Sequence, residues 1–169
     1  CQHIFEILYG KNNTVHNAMS PQELTALDTQ RELLDRYILH MALSNTVKLY
    51  WDGPKNAPIL KFQPESAEEL AMVKFAQQLG YTKLPEKEEQ EKTDFEKEAG
   101  ANTFLSLQPF DPVTMKPYGD AVNKSYTFLA VFGFTSARAR VTVIYQDCQT
   151  GKIICMIKGQ DTTVTPLLS

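Results

Sequence analysis

The hydrophobic periodicity of this chain changes at residue 101, and that change restricts the architectures open to it. Before it, apart from two short extended pieces, apolar residues recur every three or four positions, the spacing of one buried helix face. After it, β-branched and aromatic residues alternate with polar ones, the spacing of strands with one face covered. Helices followed by a run of strands give an α+β domain. Two to three helices are expected on one face of a mainly antiparallel sheet, ending in a C-terminal β-meander.

Local signals place the elements. Ser20-Pro21-Gln22-Glu23 starts a helix: the serine caps, proline suits the first turn and Glu23 completes a capping box. Leu24, Leu27, Leu34, Tyr37, Ile38 and Met41 then form one face, running to about Leu43. Thr46–Trp51 reads as a strand stopped by Asp52-Gly53-Pro54, and Ile59–Phe62 as a second short strand. Ser66-Ala67-Glu68-Glu69 caps another helix with Leu70, Val73, Ala76 and Leu79 as its stripe and Gly80 as its stop. The stretch 85–99, rich in Glu and Lys, reads as a solvated helix or a linker.

In the second half, 103–107, 126–132, 138–145 and 152–158 read as strands. Phe128, Phe132 and Phe134 are expected on one face with Tyr126. The turn Asp147-Cys148-Gln149-Thr150-Gly151-Lys152 needs a left-handed residue, and Gly151 supplies it. If Gly151-Lys152 made a two-residue turn, Cys148 and Cys155 would face each other as a disulfide; a four-residue turn over 148–151 would set Cys155 opposite Ile144. Arg138 and Arg140 share a strand face, which suits either an anion or an ordinary solvated sheet surface.

At 169 residues with 43% hydrophobic and 22% charged composition, a single domain over 20–169 is expected, preceded by an apolar segment over 1–19. A net charge of −3, with lysines interleaved among acids, gives no footprint for nucleic acid. The apolar runs are too short to span a bilayer. The three histidines, His3, His16 and His40, lack metal-ligand spacing, and no nucleophile elbow or phosphate-binding loop occurs. Neither a cofactor nor a metal is therefore expected, and no reaction can be assigned.

The first residue, Cys1, suggests a processed lipoprotein whose cysteine carries a lipid. Ile4, Phe5, Ile7, Leu8 and Tyr9 follow it, too apolar for a tether, and with Tyr50 and Trp51 they form the candidate partner contact. A second signal agrees. Gly100-Ala101-Asn102-Thr103-Phe104-Leu105, Val141–Asp147 and Thr150-Gly151-Lys152-Ile153-Ile154 resemble a pattern in bacterial envelope lipoproteins. That group includes the curli-secretion lipoprotein, the lipoprotein activators of peptidoglycan synthases and the N-terminal domain of the Tol-Pal propeller protein. The resemblance covers the C-terminal two-fifths of the chain and implies a binding or scaffolding protein without an active site. The expectation is a non-enzymatic, lipid-anchored subunit of a bacterial cell-envelope assembly at the outer membrane, with other envelope proteins as partners. A small-ligand-binding module and an enzyme without a local motif are the alternatives.

Overall fold

The structure, a computed structural model, describes residues 19–54, 56, 59–85, 102–108 and 120–168. Helix α1 spans Pro21–Leu43, and its capping box closes as the sequence requires: Ser20 Oγ accepts from the Glu23 amide while the Glu23 carboxylate accepts from the Ser20 amide. Strands β1 (Lys48–Asp52) and β2 (Ile59–Gln63) pair antiparallel as a separate two-stranded ribbon. Helix α2 (Ala67–Gln78) is capped by Ser66 and stopped at Gly80, whose φ of 89° no β-carbon favours.

The main sheet has five antiparallel strands in sequence order: β3 (Tyr81–Lys83), β4 (Asn102–Leu107), β5 (Val122–Phe132), β6 (Arg140–Asp147) and β7 (Ile153–Gly159). A short helix, α3 (Asp161–Val164), and one 3₁₀ turn over Thr165–Leu167 follow. The fold is therefore the expected α+β arrangement with a C-terminal meander. Strand β3 is the unforeseen element. Three residues directly after a helix stop are too few to show a period, and pairing with β4 creates the strand.

The core lies between the helices and one sheet face. Ile38, Met41, Ala42 and Leu43 of α1 and Ala76 of α2, with Leu79 just after it, meet Tyr81, Leu105, Tyr126, Val143, Tyr145 and Met156. Polar anchors set the angle of α1. The Tyr81 hydroxyl donates to Asp35, and the Tyr145 hydroxyl donates to the Leu43 carbonyl at 3.4 Å. Asn45 stops the helix, its Nδ2 donating to the Met41 and Ala42 carbonyls.

Two expectations about the strands need correction. The phenylalanines do not align, because the β5–β6 register shifts between Phe128 and Ala130. The bulge inserts one residue, so Phe128 stays with Tyr126 on the helix side while Phe132 emerges on the other, half exposed; Phe134 lies beyond the strand in solvent. The two arginines do not share a strand face either, because β6 begins at Arg140. Arg138 sits in the turn before β6; its guanidinium donates to the Phe132 and Arg140 carbonyls and lies over the Phe132 ring.

The β6–β7 hairpin takes the longer turn. The Gly151 amide donates to the Asp147 carbonyl at 2.8 Å, and Asp147 N–H to the Lys152 carbonyl at 2.9 Å. Cys155 therefore faces Ile144, and Cys148 and Cys155 are separate, exposed free thiols. Burial works against the Asp147 charge, but the Gln149 and Thr150 amides donate to its carboxylate and hold it below the usual range. Gly151 has φ 70° with open space around it, so a substitution there is strained by backbone conformation alone. Gly151→Val should cost about 1 kcal/mol or slightly more in urea denaturation, and an unchanged midpoint would refute this reading of the turn.

Candidate functional site

At the C-terminal end of α1 the chain leaves the helix as Asn45-Thr46-Val47 and runs across the sheet face into β1. A cleft of about 420 Å³ opens between this segment and the sheet. Its floor is Phe128 and Val131 of β5 with Val143 and Tyr145 of β6. These reach one face because the β5 bulge returns Val131 to the helix side, opposite Val143. The Phe128 and Tyr145 rings meet edge to face at 5.7 Å between centroids. The walls are mixed: Asn45, Thr46, Lys48 and Lys83 are polar, and Val47, Leu49 and Leu84 are apolar. The Lys83 ammonium donates to the Val47 carbonyl at 3.4 Å, which draws β3 toward the crossing segment.

One carboxylate fixes the Thr46 wall. Glu69, in the first turn of α2, sits in the sequence where a capping-box glutamate would fold back on Ser66. Only half of that box forms: Ser66 Oγ accepts from the Glu69 amide, while the Glu69 side chain turns into the molecule. Its Oε2 accepts from the Thr46 amide at 3.1 Å and the Thr46 hydroxyl at 2.7 Å, and its Oε1 accepts from the Lys158 ammonium on β7. Burial opposes the Glu69 charge, but Lys158 and Thr46 together overcome it and hold the carboxyl below the usual range. His40 lies behind this pair. Burial, and secondarily the Lys158 charge, depress its pKa, so the ring is held neutral. Its Nε2 has no hydrogen-bond partner among the described residues.

The residues singled out from sequence fall elsewhere. Tyr50 and Trp51 are about half exposed on β1, away from this cleft's lining. Cys1, Ile4, Phe5, Ile7, Leu8 and Tyr9, and the charged stretch, lie outside the described residues. The Glu69–Lys158 pair was not foreseen, since its members stand 89 positions apart and each has an ordinary local role. Among the described residues no three His, Cys, Asp or Glu side chains are grouped to hold a metal ion. None of the described helices is long and apolar enough to cross a membrane.

The chain matches no protein-family model. It is similar to parts of much longer proteins. A probable phospholipid-transporting ATPase of Arabidopsis thaliana is 28% identical over 142 residues, which is 84% of this chain and 10% of that protein. A phospholipid-transporting ATPase of Schizosaccharomyces pombe is 28% identical over 81% of the chain and 9% of its own length. A second one from the same yeast is 28% identical over 76% of the chain and 7% of its length.

These relatives overturn the resemblance to bacterial envelope lipoproteins. That resemblance rested on a hairpin turn that many meanders share, over two-fifths of the chain; the relatives match three-quarters or more of it and are eukaryotic. The envelope-subunit role, the outer-membrane location and the expectation of a non-enzyme go with it, because the similar proteins are ATPases. The chain spans about a tenth of the length of the phospholipid-transporting ATPases it is similar to.

Proposed function

We propose that this chain is a portion of a phospholipid-transporting ATPase and that it serves the ATPase by holding nucleotide in the cleft beside Thr46. The observation that carries this is the composition of the cleft, in a chain similar to parts of ATPases. An adenine nucleotide joins a flat, weakly polar base to a polyanion. The floor of Phe128, Tyr145, Val131 and Val143 offers apolar and aromatic surface to the base. Thr46, whose hydroxyl hydrogen goes to Glu69, offers its hydroxyl oxygen as an acceptor at the edge, and Lys48 and Lys83 supply cationic partners for the phosphates. The Glu69–Lys158 pair acts at one remove, keeping Thr46 at the wall and α2 against β7.

Calorimetric titration of the chain with MgATP tests this. Saturable binding is expected with Kd on the order of 1 mM or tighter. Replacing Lys48 and Lys83 together by glutamine should weaken it about tenfold through loss of phosphate contacts. Phe128→Ala should weaken adenosine as well as ATP, since it removes base surface. If MgATP does not bind, or phosphocholine binds in its place, the reading fails.

A further inference from the structure

The last strand of the sheet is built like an interior one. Strand β7, with the sequence Ile153-Ile154-Cys155-Met156-Ile157-Lys158-Gly159, closes the order β3-β4-β5-β6-β7, and no described strand lies beyond it. Exposed edges are ordinarily blunted by charge, proline, a bulge or shortness. This one is seven residues long, carries one charge and pairs with β6 without a register shift.

The hydrogen-bond phase of the hairpin shows which backbone groups point outward. Asp147 N–H donates to the Lys152 carbonyl at one end of the pair, and Gln160 N–H to the Ala139 carbonyl at the other. Bonding alternates along an antiparallel pair, so positions 152, 154, 156, 158 and 160 bond to β6. Ile153, Cys155 and Ile157 therefore turn their N–H and C=O groups away from the sheet. Their side chains stand on the face opposite the helices, where Ile153 is 67% exposed and Cys155 is exposed too. A groove of about 620 Å³ follows this edge between β7 and α1. Among the described residues, backbone groups with no strand partner and apolar side chains thus coincide on the same three residues. A helix laid on this face would cover the side chains and leave the backbone groups unmet; a strand satisfies both.

We infer that β7 is an interior strand in the assembled protein. Its neighbour is an extended segment, apolar at alternate positions, from elsewhere in the same longer polypeptide. This rests on the part of the proposed function that makes the chain a portion of a phospholipid-transporting ATPase. The relatives are about ten times the length of this chain, so a protein of that kind has ample polypeptide to supply the strand.

Two thiols give the readout. Cys148, in the hairpin turn, and Cys155, on the edge, are both exposed free cysteines in the described chain. In the 169-residue chain both should react with a maleimide at comparable rates. In the longer ATPase Cys155 should react about tenfold more slowly or less, with Cys148 as the internal reference. Residue-resolved hydrogen exchange on the longer protein should show the Ile153, Cys155 and Ile157 amides slowed alongside the thiol. Equal thiol rates in the two proteins overturn the inference, and so does a protected thiol with fast amides, which would mean cover by something other than a strand. Concentration-dependent dimerisation of the chain that alone protects Cys155 would assign the edge to a second copy and also overturn it. None of these readings depends on nucleotide, so a failure of the cleft to bind MgATP is separable from a failure here.

Discussion

Leu105→Ala should lower the unfolding free energy by about 2–5 kcal/mol, the range for removing a buried leucine from a core that cannot collapse. Leu105 is completely buried near the centre of β4, in a core cluster with side chains from α1, α2 and the four other strands of the sheet. The surrounding positions are held by strand pairing on two sides, so little relaxation is available to fill the void. Leu129→Ala is the matched control. Leu129 stands at the β5 bulge and is 46% exposed, so its truncation should change stability by no more than about 0.5 kcal/mol. Urea denaturation of the two variants measures the contrast. Equal losses would mean that the sheet packs its other face as tightly as the helix face, and the one-sided core described above would be wrong.

Most of that core was legible in the sequence. Leu34, Ile38 and Met41 of the α1 stripe, the helix caps and the Gly80 stop are short-range signals, decided within four or five residues; Tyr37, expected on the same face, is instead 61% exposed. The structure adds what depends on a distant partner. The bulge at Leu129 is invisible in a strand that alternates well on both sides of it, yet it decides that Phe128 faces the cleft and Phe132 faces away. Glu69 gives the sharper lesson. Ser20 and Ser66 are each followed three residues later by a glutamate, and from sequence the two motifs are equivalent. At the first the box closes, because Glu23 is exposed and has no stronger donor than the Ser20 amide. At the second an ammonium and two Thr46 donors outbid it, since charge-assisted bonds are stronger where water is largely excluded. The diversion becomes visible only once β7 has been placed beside α2.

Failure to read the role of the chain has a different cause. Asp-x-x-Thr-Gly-Lys is selected by hairpin geometry in unrelated sheets, so it reports a turn and not a lineage. The initial cysteine and the apolar residues after it concern a segment outside the described residues, and they supplied the envelope reading without bearing on the cleft. Five of the residues that line the cleft are consecutive, Asn45 to Leu49, but the rest come from β3 and the residue after it, β5 and β6, and nothing in the 45–49 run announces that those strands will meet it.

Glu69→Ala should destabilise the chain by about 1–3 kcal/mol, and the loss should be largely recovered when Lys158 is replaced as well. The Glu69 and Lys158 side chains are 11% and 21% exposed, so the single variant leaves an ammonium mostly desolvated and two Thr46 donors without their acceptor. A fully buried pair broken in this way costs about 3–5 kcal/mol; the residual exposure of Lys158 admits water, which sets the expectation below that range. Glu69→Leu with Lys158→Met removes both charges and should lie closer to wild type than either single change. The pH dependence follows from the same geometry. The folded Glu69 carboxyl titrates below its ordinary 4.5, so its contribution is complete above that value and is lost as pH falls through the folded pKa. His40 is also depressed, from 6.5, so the unfolded chain takes up that proton first and stability begins to fall as pH drops below about 6.5. The acid limb should therefore have two steps: Glu69→Gln shrinks the lower one, to which Asp147 also contributes, and Lys158→Met raises the His40 pKa by removing a neighbouring positive charge. Urea midpoints between pH 3 and 8, with NMR titration of the His40 ring, measure both. A His40 pKa that does not respond to Lys158→Met would break the link between the histidine, the ion pair and the wall of the cleft.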